Sequence, residues 1–223
     1  MRGRARALLL DLDGTLLDTA PDMVAALNAL RIEEGLAALP YPTLRQYVSH
    51  GAIALVRAGF PAADDAARER LRLRFLDLYR RDLAGGTRIF AGFDELLQHL
   101  QSEQLPWGIV TNKPGWLTTP LLAALALADR AGVVVSGDTL PQRKPHPAPL
   151  LHAAAQLGIE PAACLYVGDA ERDIVAGRAA GMRTAAVSYG YLAAGEDPAA
   201  WGADVIVATP RELLVHLQVA ALA

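Results

Sequence analysis

An apolar run, Leu8-Leu9-Leu10, ends at two carboxylates, Asp11 and Asp13, followed at once by Gly14-Thr15. A short continuous apolar run of this kind reads as a strand buried on both faces. Such a strand can carry acids only at its end, where water, a metal ion or backbone N–H groups satisfy them. In an open α/β sheet, ligands bind at the carboxyl ends of the strands. The stretch therefore predicts a buried first strand over 6–10 and a ligand-binding edge directly after it.

From Ile89 onward, strand and helix signals alternate. Strands are expected at 107–111, 131–135, 163–168, 183–187 and 204–207. Helices are expected at 93–104, 115–127, 147–157 and 171–180, with a last one from about 210. Apolar strands separated by helices predict an α/β fold, a Rossmann-like parallel sheet covered on both faces.

The first strand is cut off from this alternation by a helical block over 16–86. One helix opens at Ala20-Pro21-Asp22, with Met23, Leu27 and Leu30 on one face. A second is expected from Thr43 to Arg57, and a third from Ala62 to Leu83 with Leu71, Phe75 and Leu78 on one stripe. The expected organisation is a core of residues 1–15 and 87–223, interrupted by an all-helical cap at 16–86. Arginines and acids are nearly balanced across the block, which reads as solvated helix faces and not as a polyanion groove.

Composition narrows the function classes. Hydrophobic residues make up 52% of the 223, enough for a large core. A net charge of −3 gives no reason to expect nucleic acid or an anionic membrane as partner. No apolar run approaches the ~20 residues of a membrane span. Arg2, Arg4 and Arg6 precede an apolar stretch that stops at Asp11, too short for a signal segment. The lone Cys164 sits in an apolar run, as a small buried hydrophobe would, and excludes a disulfide framework. A cytoplasmic protein acting on a small molecule, monomer or homodimer, is expected.

Four strand ends carry the groups that could do chemistry. They are Asp11 and Asp13; Thr111-Asn112-Lys113; Lys144, in Arg143-Lys144-Pro145-His146; and Gly168-Asp169 with Asp173. A parallel sheet gathers such groups at one edge. Four converging carboxylates repel one another unless a cation joins them. Oxygen ligands without His or Cys favour a hard ion, most simply Mg²⁺. A cation, a lysine and a hydroxyl among carboxylates describe a phosphoryl site, with Thr111, Asn112 and Lys144 on the phosphate. A carboxylate can then act as nucleophile and form an aspartyl phosphate.

Each piece alone has a plainer reading. An EF-hand loop needs Gly at position 6 and Glu at 12; here Gly14 stands at position 4 and Asp22 at 12. Thr111-Asn112 could cap a helix, Lys144 could be a surface lysine, and Asp169 with Asp173 could serve a helix dipole. The order of the four, each at a strand end, is what makes them specific. Of the histidines, His50 lies inside the helical block beside Gly51 and is a candidate for substrate contact, as is Asp18. His146 is placed to cap a helix, and His99, His152 and His216 read as rim residues.

In these segments the chain resembles the haloacid dehalogenase superfamily, in its phosphatase branch with a helical cap after the first motif. The resemblance rests on Asp11-x-Asp13-Gly14-Thr15, Thr111, Lys144 and Gly168-Asp169-x-x-x-Asp173, and spans nearly the whole chain. It implies Asp11 as nucleophile and Asp13 as general acid, then base. It implies Mg²⁺ held by Asp11, the Asp13 backbone carbonyl and Asp169, with Asp173 supporting the metal waters or Lys144. The acid at Asp13 favours phosphate esters over carbon–halogen bonds, because an alkoxide needs a proton on leaving and a halide does not.

Within that branch the chain resembles phosphoglycolate phosphatases through Thr111-Asn112-Lys113-Pro114, Lys144-Pro145-His146-Pro147 and Tyr189-Gly190-Tyr191. It resembles N-acetylmuramic acid 6-phosphate phosphatases more closely, through Asp18-Thr19-Ala20-Pro21-Asp22, Trp107–Pro114, and a tail with Glu196-Asp197-Pro198 and Trp201-Gly202-Ala203-Asp204. It departs from the usual pattern in having His50 where the cap motif has Gly, and Ala170 where Ser or Asp is usual. A sugar phosphomutase of the same superfamily and a non-catalytic phosphometabolite-binding protein remain as alternatives.

Overall fold

The apolar runs become the strands of one sheet. In a computed structural model describing residues 4–218, β1 (Ala7–Leu10) is followed by a two-residue strand, β2 (Leu17–Asp18). Four helices come next: α1 (Ala20–Glu33), α2 (Tyr41–Arg45), α3 (Gly51–Gly59) and α4 (Asp65–Arg81). The strand β3 (Arg88–Ile89) brings the chain back. The remainder alternates: α5 (Phe93–Ser102), β4 (Trp107–Val110), α6 (Gly115–Ala124), β5 (Val133–Val135), α7 (Ala148–Leu157), β6 (Cys164–Gly168), α8 (Glu171–Ala179), β7 (Arg183–Val187) and β8 (Val205–Val207). Arg2 of the sequence reading lies outside the described residues.

The six long strands form one parallel sheet in the order β5-β4-β1-β6-β7-β8, so β1 is central and the fold is Rossmann-like α/β. Leu8, Leu9 and Leu10 are fully buried, as a strand covered on both faces requires. The helices α1 to α4 pack on one another as an insert between β1 and the rest of the sheet. Their apolar faces join the main core, where Leu27 and Phe75 share a cluster with Leu10, Leu17 and Leu97.

The ends of the insert are clasped together. β2 pairs antiparallel with β3, Leu17 opposite Ile89. The buried Asp22 carboxylate accepts from the Gly86 N–H at 2.6 Å, the Thr87 N–H at 2.7 Å and the Thr87 hydroxyl at 2.6 Å. This paired ribbon was not legible in the sequence, since two residues carry no period.

Two helices differ from expectation. The one expected over 43–57 breaks into α2 and α3, because Gly51 takes a φ of +73° that an α-helix cannot continue through. The break lets the Ser49 hydroxyl reach Asp169 at the edge of the sheet. The segment after Thr209 forms a 3₁₀ helix, Pro210–His216, in place of the expected α-helix. Cys164 is buried, and burial pushes its thiol up to about 11, as befits an inert packing residue. Among the described residues, no helix is long and apolar enough to cross a membrane.

Candidate active site

The register of the sheet brings the motifs together. Leu10 pairs with Ile109 on one side and Val167 on the other. The residues that follow each strand, Asp11, Thr111 and Asp169, therefore emerge side by side at the carboxyl edge.

Asp11 is buried and held from below. Its Oδ1 accepts from the Leu12 N–H at 2.7 Å and lies 2.7 Å from Lys144 Nζ. Its Oδ2 has no protein hydrogen bond among the described residues. Lys144 Nζ also meets Asp173 Oδ1 at 2.8 Å, the Val110 carbonyl at 2.8 Å and the Tyr166 hydroxyl at 2.8 Å. An ammonium has three hydrogens, so these four partners engage it fully. Asp173 is likewise spent: Oδ1 on Lys144 and the Tyr166 hydroxyl, Oδ2 on the Ala170 N–H at the start of α8.

Asp169 is different. Its Oδ2 accepts from the Tyr191 N–H at 3.1 Å and from the Ser49 hydroxyl, but its buried Oδ1 has no partner. Burial, with Asp11 and Asp173 nearby, pushes its carboxyl up to about 7. Burial and Asp173 push Asp11 up to about 6, against the pull of Lys144. Oxygens of Asp11, Asp169 and Asp173 all lie within 4.8 Å of one another. An orphaned carboxylate oxygen in an all-oxygen cluster fits a hard divalent cation. The space around Asp169 is tight: a Cβ on Gly14, at φ +86°, would lie 2.0 Å from Asp169 Oδ2. Only glycine serves there.

Asp13 stands on the turn after β1. Its Oδ1 accepts from the Thr19 hydroxyl at 2.6 Å and from Lys113 Nζ at 2.9 Å. Its Oδ2 carries no protein hydrogen bond among the described residues. Among the described residues, the acid oxygens left open at this edge are thus Asp11 Oδ2, Asp13 Oδ2 and Asp169 Oδ1.

Thr111 and Asn112 follow β4. The Thr111 oxygen accepts from the Lys113 N–H at 3.1 Å, which leaves its own hydrogen to donate. The Asn112 side chain is used differently from the sequence expectation. Its Nδ2 donates to the Lys144 carbonyl at 3.0 Å and its Oδ1 accepts from the Lys144 N–H at 3.1 Å. That amide therefore fixes the loop that carries Lys144.

The helical insert closes on this edge through several contacts. The Arg172 guanidinium donates to the Ser49 carbonyl at 2.7 Å. Arg45 donates to the Gly190 carbonyl at 3.0 Å and lies 4.7 Å over the Tyr191 ring. Asp18 accepts from the Tyr191 hydroxyl at 2.7 Å, so one of its oxygens is taken up by that tyrosine. His50 is exposed at the start of α3, and partial desolvation, with Arg172 nearby, holds it below its ordinary value. His146 accepts from the Ala148 N–H at 3.1 Å at the start of α7. Ser49, Tyr166, Tyr191, Arg172 and Lys113 were not singled out from sequence. Lys113 and Tyr191 lie inside motifs that carry the resemblance but had no role assigned to them, and the others read as core, surface or helix residues.

The raised carboxyls set a testable pH dependence. Asp11 and Asp169 rise in the folded chain from an ordinary value of 3.8. The folded form therefore binds more protons, and stability falls as pH rises from about 4 to about 7. A divalent cation held by these acids would displace those protons. Thermal unfolding with Mg²⁺ against EDTA should show a clear rise in Tm at pH 8 and little at pH 5. An equal rise at both would place the ion elsewhere.

Comparisons with known proteins give the family. A family model described as haloacid dehalogenase-like hydrolase matches residues 8–187. The chain belongs to the haloacid dehalogenase-like hydrolases. A phosphoglycolate phosphatase of Xanthomonas campestris is 47% identical over 208 residues, 93% of this chain and 94% of that one. An N-acetylmuramic acid 6-phosphate phosphatase of Pseudomonas aeruginosa is 47% identical over 214 residues, 96% of this chain and 95% of that one. Among solved structures, a predicted phosphoglycolate phosphatase from Haemophilus somnus superposes with a TM-score of 0.81 at 26% identity, over 91% of this chain and 93% of that one. This member is a phosphomonoester hydrolase of the family. Phosphatases of the family generally use Mg²⁺, for which the buried acids here offer a site.

Proposed function

We propose that the chain hydrolyses a small phosphorylated metabolite through an aspartyl phosphate on Asp11, under the helical insert acting as a cap. The observation that carries this is that Asp11 Oδ2, Asp13 Oδ2 and Asp169 Oδ1 are left open at the sheet edge while the other oxygens of these acids are held by protein. Asp11 is the nucleophile: its Oδ2 bonds to phosphorus as the ester P–O bond breaks. Asp13 gives its proton to the departing alkoxide oxygen. Asp13, now a carboxylate, takes a proton from water. The water oxygen attacks phosphorus, the bond to Asp11 breaks, and inorganic phosphate leaves.

Each remaining residue has a defined task. Thr111 donates its free hydroxyl hydrogen to a phosphate oxygen, and the backbone N–H of Asn112 does the same beside it. Lys144 fixes the orientation of Asp11 and offsets the charge of phosphate through the field, with its hydrogens held by protein. Asp173 and Tyr166 keep Lys144 in place. Asp11, Asp169 and the Asp13 carbonyl would hold Mg²⁺, which supplies positive charge against the phosphate.

The substrate is N-acetylmuramic acid 6-phosphate ahead of 2-phosphoglycolate. Support comes from the segments at 18–22, 107–114 and 196–204; relatives of both kinds match at 47% identity. We assign selection of the leaving group to Asp18 and His50. The test is kcat/KM for phosphate release from both compounds with Mg²⁺. A hundredfold preference for the sugar, about 2.7 kcal/mol of transition-state binding, is expected. The reverse preference would assign the chain to glycolate. Isomerisation of a sugar phosphate without phosphate release would make it a mutase.

A further inference from the structure

Lys113 has no part in the steps above, yet it is buried and directed at Asp13. We infer that Lys113 is a positioning residue for the Asp13 acid, and that Tyr79 of the helical insert ties this positioning to the seating of the insert on the sheet. The inference rests on the assignment of Asp13 as proton donor and acceptor.

The geometry is specific. Only 4% of the Lys113 side chain and 15% of the Asp13 side chain are exposed, and Nζ lies 2.9 Å from Asp13 Oδ1. Nζ also donates to the Tyr79 hydroxyl oxygen at 3.0 Å and sits 4.7 Å from the centre of the Tyr79 ring. Tyr79 is fully buried in the last turn of α4 and stacks on Phe75, at 6.3 Å between centroids. The base of Lys113 is pinned as well. Its carbonyl accepts from the Gly137 N–H at 2.8 Å and from the Thr118 hydroxyl at 3.2 Å, and its N–H donates to Thr111.

A buried ion pair is a poor way to gain stability, since apolar residues of similar volume often do as well or better. The pair must be read by what it does to Asp13. With Lys113 and Thr19 both on Oδ1, the carboxyl cannot rotate freely, and Oδ2 is the oxygen presented to substrate. Holding the Asp13 carboxyl in one orientation serves the delivery of its proton to the departing oxygen. The benefit therefore grows with the leaving group's need for a proton. Lys113 belongs to the loop after β4 and Tyr79 to the insert, so the lysine has both partners only with the insert seated.

The test compares an alkyl ester, 2-phosphoglycolate, with an aryl ester that needs no proton on leaving, p-nitrophenyl phosphate. Single-turnover rates read the first transfer alone. Lys113→Met should slow the alkyl ester about 100-fold and the aryl ester less than about 10-fold, with KM little changed. Tyr79→Phe should show the same bias more weakly, and it keeps Lys113 should Lys113→Met fail to fold. In the Asp13→Asn background, Lys113→Met should add no further loss. Equal losses on both esters, or none, in the folded variants would overturn the inference. If Asp13→Asn itself turned over the alkyl ester normally, the assignment of Asp13 would fail. If Asp13→Asn were inactive while Lys113→Met and Tyr79→Phe showed no bias, only the role of Lys113 and Tyr79 would fail.

Discussion

Asp11→Asn should abolish phosphate release, with a loss of about 10⁴-fold or more. The amide keeps the shape of the carboxylate, and Lys144 and the Leu12 N–H remain to hold its oxygen. What is lost is the anionic oxygen that bonds to phosphorus. Removing one buried acid also relieves repulsion with Asp169 and Asp173, which lie within 4.8 Å. The metal-free variant should therefore be at least as stable as the parent above pH 7, although inactive. Thermal unfolding beside a phosphate-release assay separates the two effects. Retained turnover would remove Asp11 from the role of nucleophile.

Asp13→Asn should cost about 10²–10⁴-fold on an alkyl phosphate, the usual worth of a positioned proton donor. The variant leaves Lys113 buried with a neutral neighbour in place of its counter-charge. Breaking a buried pair from one side costs about 3–5 kcal/mol, so a lower Tm is expected together with the lost activity. This separates it from Asp11→Asn, which is predicted to be inactive without that penalty. If Asp13→Asn matched the parent on alkyl phosphates, the leaving group would be taking its proton from another source.

The parts of this site visible in the sequence share one physical origin. A strand buried on both faces can hold polar groups only at its ends, so Leu8–Leu10 before Asp11 and Leu165–Val167 before Asp169 announced the edge. The parallel order of the strands, which follows from their alternation with helices, then gathered Thr111 and Asp169 beside Asp11. What sequence did not reveal comes from the insert. Tyr79 follows Phe75 by one helical turn and reads as ordinary core, yet its hydroxyl meets Lys113. Ser49 lay inside a helix on periodicity alone, until the left-handed Gly51 broke that helix and freed it to reach Asp169. Asn112 was placed on phosphate by its position, but its amide matches the Lys144 backbone, a pairing across 32 residues that no local pattern encodes.

The measurement closest to the central claim is rapid acid quenching of the enzyme with substrate and Mg²⁺, followed by peptide mass mapping. The account predicts the mass increment of one phosphoryl group on the peptide containing Asp11, and none in Asp11→Asn. Phosphate release at full rate with no modified Asp11 peptide, or with the phosphoryl group on another residue, would contradict it.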